Sequence, residues 1–71
     1  MKLIEARVNG VPRHVSTKRG EKAVLDVATR EGNFTIWRPA GDMGVMGRRN
    51  GERVTIALDS KGKASLVDQQ Q

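Results

Sequence analysis

Trp37 is the residue whose type and surroundings say most about possible chemistry, and it is the single tryptophan of the chain. In the run Phe34-Thr35-Ile36-Trp37, side chains of an extended strand alternate between two faces. With Phe34 and Ile36 on a core face, Thr35 and Trp37 point outward. An outward indole in the middle of a sheet offers a flat surface on which a nucleic-acid base can stack, worth ~1–3 kcal/mol per base. Cations gather in the neighbouring segments. Arg38 follows the tryptophan, Arg48 and Arg49 precede a later run, and Arg53 faces outward on that run. Lys18 and Arg19 lie in one connection, and Lys61 and Lys63 in another. Cations that follow phosphates, with a ring that holds a base, are the physics of single-strand binding. A plainer reading stays open beside it. Lysines in turns are ordinarily just solvated, and Trp37 is covered if the 39–50 segment lays Met43 or Met46 against its ring.

Other residues offer less. Arg7 is expected beside Glu5 on a polar strand face, and Arg30 is placed to pair with Asp26; surface pairs of this kind contribute little. Arg13 is a further weak candidate, and His14 reads as a surface residue rather than a ligand or base. Catalysis finds no constellation. Ser16, Ser60 and Ser65 lack a histidine–carboxylate context beyond His14. Asp26 with Glu31, and Asp42 with Glu52, are not spaced for paired acid–base work. Gly41, Gly44 and Gly47 match neither a phosphate-binding loop nor a dinucleotide fingerprint. With no cysteine and one histidine, thiol nucleophiles, disulfides and multi-histidine metal sites are excluded. No metal and no cofactor are expected, and the protein is read as not an enzyme.

The elements that must position these residues read as strands. Ile4-Ala6-Val8, Ala23-Leu25-Val27, Phe34-Ile36, Val54-Ile56-Leu58 and Ala64-Leu66 each alternate with their neighbours, giving five runs of period two and no sustained helical stripe. Lys18-Arg19-Gly20, Glu31-Gly32-Asn33, Asn50-Gly51 and Lys61-Gly62 punctuate them as turns. Short strands joined by glycine-containing turns indicate an all-β barrel or sandwich, and a closed barrel hides the edges that a small open sheet exposes. The Asn9-Gly10-Val11-Pro12 segment is either a hairpin turn, giving a sixth strand, or a bulge in one long bent strand. The bulge is the favoured reading, because Pro12 cannot donate to a ladder. Residues 1–68 are read as one domain and 69–71 as a disordered polar tail.

A chain of 71 residues has a thin core. Its 13 Lys and Arg against 8 Asp and Glu leave a net charge of +5. No apolar run approaches the ~18 residues of a membrane span. The stretch Met1–Glu5 lacks the apolar segment of a signal peptide, so a cytoplasmic binding module is expected.

Taken together, the Gly32 turn between two strands, the long 39–50 connection and the closing Gly51-Glu52-Arg53-Val54-Thr55-Ile56 run resemble the oligonucleotide-binding (OB) fold. This is the five-stranded barrel of single-stranded DNA-binding proteins and S1-type RNA-binding domains. The stretch Ala23 to Trp37 looks like the second-to-third strand hairpin of the DNA binders, which tilts the expectation toward single-stranded DNA over RNA. The resemblance implies that the ligand face lies on that hairpin, flanked by the 18–19 and 61–63 loops. Many OB folds carry a helix before the fourth strand; here the glycine-rich 39–50 segment is a poor helix former, so a reduced turn is expected. With one stacking ring, affinity per monomer is expected to be modest. A log–log salt slope of roughly −3 follows if about four phosphates are neutralised, and homo-oligomerisation would add avidity. Two other roles fit the same residues. One is a protein-interaction or assembly module with an apolar Trp37–methionine patch. The other is a ribosome-associated RNA-binding factor.

Overall fold

The computed structural model describes residues 2–67, so the tail expected at 69–71 lies outside the described residues. The chain forms β1 (Lys2–Val8), β2 (Arg13–Thr17), β3 (Gly20–Thr29), β4 (Gly32–Pro39), a one-turn helix α1 (Met43–Met46), β5 (Arg53–Leu58) and β6 (Ala64–Leu66). The all-β class and the alternating runs are as expected. The extra strand, β2, comes from a stretch whose only aliphatic residue is Val15. All pairings are antiparallel.

Strand β3 organises the sheet. One of its edges pairs with β4 along Lys22 to Thr29, and its other edge is shared between β2 and the end of β1. On that shared edge Val8 pairs with Val27 and Arg13 with Val24, so residues 9–12 stand opposite only Leu25 and Asp26. The segment is therefore a bulge with two extra residues in one bent strand, and Pro12 sits within it, where no ladder N–H is required. Beyond the bend, β1 pairs with β5, and β5 with β6.

Both hairpins that flank β3 use the same turn chemistry. Thr17 Oγ1 donates to the Gly20 carbonyl at 2.6 Å and Thr29 Oγ1 to the Gly32 carbonyl at 2.8 Å. Each threonine oxygen also accepts the N–H two residues on, from Arg19 and Glu31. Gly20 and Gly32 have φ of +109° and +127°, a conformation that side-chain-bearing residues rarely adopt.

Ile4, Ala6, Val8, Ala23, Leu25, Val27, Ile36, Val54, Ile56, Leu58, Ala64 and Leu66 face one core. Val45 of α1 enters it fully buried, and Met46 and Phe34 pack at its margin. The 39–50 connection is thus reduced to a single helical turn that plugs the core, as its composition suggests. Among the described residues, no helix is long and apolar enough to cross a membrane.

The ring of strands is not closed by a ladder. The sheet ends on β4 at one side and β6 at the other, with no pairing between them among the described residues. This departs from the closed barrel expected of the sequence. β6 offers only the 3 residues Ala64–Leu66 at this seam, and a contact across it is made by Arg38, whose position on β4 shares the inward parity of Ile36. Its guanidinium donates from Nη2 to the Leu66 carbonyl of β6 at 2.9 Å and from Nη1 to Asp42 at 3.2 Å. A side chain thus bridges the seam between β4 and β6. Replacing Arg38 with Met keeps the apolar stem and removes these bonds. The expected cost is ~1.5–3 kcal/mol, the usual range for hydrogen bonds to charged groups. Urea unfolding should show a lower midpoint at unchanged slope; an unaltered midpoint would mean the seam is held otherwise.

Candidate functional site

The outward face of β2, β3 and β4 is built by register. Arg13 of β2, Val24 of β3 and Trp37 of β4 form one row across three strands. Val24 points away from the core yet is fully buried, flanked in this row by Arg13 and Trp37. Trp37 itself is 51% exposed. The indole is thus supported on one side and open on the other, and Met43, one of the two methionines that were candidates to cover it, is 73% exposed. The next row toward the β2–β3 turn is Val15, Lys22 and Pro39, which sets Lys22 diagonally beside Trp37. On the other side of Val24 lies Asp26, with Thr35 as its β4 partner.

Asp26 orders this surface. Its carboxylate accepts from Arg13 Nη1 at 2.6 Å and from Thr35 Oγ1 at 2.9 Å. The Arg30–Asp26 pair expected from spacing is replaced by this one, because the bulge brings Arg13 alongside β3. The Arg13 hydrogen bond is the main reason the Asp26 carboxyl is held below its ordinary 3.8; partial burial opposes it, and Thr35 and the Arg13 charge add to it.

The other expected cations divide by location. Lys18 and Arg19 are exposed in the β2–β3 turn, at the end of the Trp37 face. Arg38 points into the seam. Arg48 is also engaged internally, donating from Nε to the Gly44 carbonyl at 2.9 Å and from Nη1 to Glu52 at 2.7 Å. Arg49 is exposed, and its backbone N–H donates to Glu52 at 3.0 Å. Glu52 is held below the ordinary carboxylate range first by that N–H and then by Arg48. Arg53 faces outward on β5, but β1 and β3 separate it from β4 in the ladder. Lys61 and Lys63 are exposed in a loop ordered by Asp59, which accepts both their backbone N–H groups. That loop follows Leu58, the register partner of Lys2 at the start of β1, whereas the 18–19 turn follows the end of β2. The two lysine-bearing loops thus lie at opposite ends of the bent β1–β2 strand.

The structure therefore places Lys18 and Arg19 at one end of the Trp37 face and adds Lys22, diagonal to Trp37, and Arg13, across Val24 from it. Lys22 was legible from parity, two residues before the outward Val24. Arg13 was not, since its place depends on a two-residue bulge. His14 and Ser16 are exposed on the opposite parity of β2. Among the described residues, no three His, Asp or Glu side chains converge as metal ligands would. In comparison with known proteins, the chain matches no family model, no curated protein and no solved structure.

Since Asp26 has a lowered folded-state pKa, its contribution to stability is present above 3.8 and is lost as pH falls through the depressed value. Asp26→Asn should flatten part of the decline in the urea midpoint below pH 4 and leave its shape above pH 5 unaltered. An acid limb identical to that of the parent would show that the Arg13–Asp26 contact does not couple to folding.

Proposed function

We propose that this protein is a non-catalytic single-stranded nucleic-acid-binding protein, with DNA favoured over RNA, that uses the outer face of β3 and β4. The observation that carries the reading is the half-exposed Trp37, seated beside a buried Val24 and bordered by Arg13 and Lys22. A planar ring with a fixed base and cations around it supplies both terms of single-strand affinity, base stacking and phosphate neutralisation. An OB-type architecture is part of the same proposal. In its support stand the strand order, the short helix before β5 and a ring left partly open, a form in which OB barrels occur. The phosphate contacts are assigned to Lys22 beside the ring and to Lys18 and Arg19 at the end of this face, while Arg13, held by Asp26, orders the surface. Arg49, Arg53, Lys61 and Lys63 serve a longer strand that continues past it. Arg38 and Arg48 contribute chiefly to folding.

A protein-binding role is favoured by one observation, the exposure of Val11 at 70% and Met43 at 73% beside that of Trp37. Salt separates the two roles, because phosphate binding weakens with salt and an apolar contact does not.

Trp37 fluorescence, titrated with oligo-thymidine at low and moderate salt, should show saturable quenching. Trp37→Ala, followed by a labelled strand, should remain folded and bind ~5–150-fold more weakly, the equivalent of ~1–3 kcal/mol of stacking. Lys22→Gln should reduce the log–log salt slope by about 0.7, one phosphate on a single strand. Unchanged affinity in a folded Trp37→Ala variant would remove the stacking role. Tighter binding to an oligo-uridine of equal length would reverse the preference for DNA.

A further inference from the structure

A second cationic site lies on another part of the surface, around β1 and β5. Arg7 and Arg53 are register partners on these strands, and both point outward, since their neighbours Ala6 and Val54 are buried. Directly opposed residues of an antiparallel pair have Cβ atoms about 4.5–5.5 Å apart, and like charges there are destabilising. On its other side Arg7 is paired with Ala28 of β3, which raises only a methyl group. Arg30 follows the end of β3. An open groove of about 340 Å³ results, lined by Glu5, Arg7, Ala28, Thr29, Arg30 and Arg53.

Charge in this groove is poorly balanced. Among the described residues Glu5 is its one carboxylate, and it reaches Arg53 at 3.6 Å, with both side chains about two-thirds exposed. Such a pair contributes little. Arg7 and Arg30 form no ion pair among the described residues. The Thr29 hydroxyl is committed to the Gly32 carbonyl, so guanidinium groups are the donors left to a ligand. Among the described residues, three arginines against one carboxylate give the lining a surplus of two positive charges.

We propose that this groove is an anion site that takes a phosphate group, gripped between Arg7 and Arg53 with Arg30 at its rim. Guanidinium forks match phosphate oxygens in pairs, which a lysine ammonium does not. An anion between the opposed arginines turns a repulsion into two attractions, and a volume of about 340 Å³ leaves room for what the phosphate is attached to. The inference does not depend on Trp37. The phosphate belongs either to a nucleic-acid strand or to a free polyphosphate, and the chemistry of recognition is the same.

NMR titration of the full chain with inorganic pyrophosphate, and separately with an oligo-thymidine, tests the site at low salt. Arg7→Gln and Arg53→Gln serve as variants. Expected are saturable shifts of the Arg7 and Arg53 Nε–H and of the Ala28 and Thr29 amides. Either substitution should weaken binding at least about tenfold, since each removes one of two charge-assisted forks. Trp37→Ala should leave the pyrophosphate titration unchanged. Arg7→Gln relieves a like-charge contact, so it should unfold at no lower urea concentration than the parent, which separates lost binding from lost folding. If the strand shifts these signals and Arg7→Gln weakens it, the phosphate comes from a strand; if pyrophosphate alone does so, it comes from a free polyphosphate. No saturable shift with either probe, or equal affinity in the variants, overturns the proposal. A strand that loses affinity in Trp37→Ala but not in Arg7→Gln, with pyrophosphate silent, overturns the groove and leaves the Trp37 reading standing.

Discussion

The bend between Val8 and Arg13 is the constraint on which the rest of the structure depends. At this point one strand leaves β5 and joins β3, and its backbone is secured on both sides. The Val8 N–H donates to the Glu52 carbonyl at 2.8 Å, and the Gly51 N–H returns to the Val8 carbonyl at 2.7 Å. The Asn9 N–H reaches the Asp26 carbonyl at 2.9 Å, and the Gly10 N–H reaches the Asn50 side chain at 2.8 Å. Without the bend, β1 and β2 would continue straight along one neighbour and the sheet would not curl around Leu25, Ile36 and Ile56. The number of extra residues matters as much as the bend. A one-residue insertion would exchange the faces of everything beyond it. Two residues preserve parity, so Ile4, Ala6 and Val8 face inward while Arg13 and Val15 still face outward next to β3.

The outer surface follows from that register. Asp26 lies where the bulge leaves β3 partly uncovered, and Arg13 is the first cation beyond the bend that can reach it. Register sets Arg13 in the Trp37 row, and the contact turns its guanidinium toward the adjoining Asp26–Thr35 pair. On the other side of the bend the same alternation leaves Arg7 against Arg53, an arrangement that folding does not favour. One register therefore orders a cation on the Trp37 face at one place and sets two arginines against each other at another, with only the exposed Glu5 to offset them among the described residues.

Alternation of apolar residues made five strands legible, because a half-buried strand writes its inward face into every second position. It did not make β2 legible. His14 and Ser16, on its inward parity, lie beyond the core and carry no apolar signal, and the strand is held by backbone bonds to β3. Trp37 was legible as outward from Phe34 and Ile36, and the 39–50 segment as at most a turn from its glycines. Val45, which plugs the core, is a single apolar residue among glycines and methionines with no period to mark it. The roles of Arg38 and Arg48 were hidden for a different reason: each bonds a carbonyl oxygen, Leu66 and Gly44 respectively, and every residue carries such an acceptor.

A net charge of +5 describes the whole chain, whereas a ligand meets only the cations that the fold has not already used. Arg38 closes a seam and Arg48 caps a helical turn, so both are oriented by the protein's own acceptors. Lys22 lies on a strand face whose register partners, Val15 and Pro39, are uncharged, and Arg7 lies opposite another arginine. Their charge is left to the solvent side. A small all-β fold with a thin core needs some of its arginines as staples, because its apolar contacts are few. The cations that remain after this use, rather than the cations nearest to an aromatic residue in the sequence, define where a polyanion would be held.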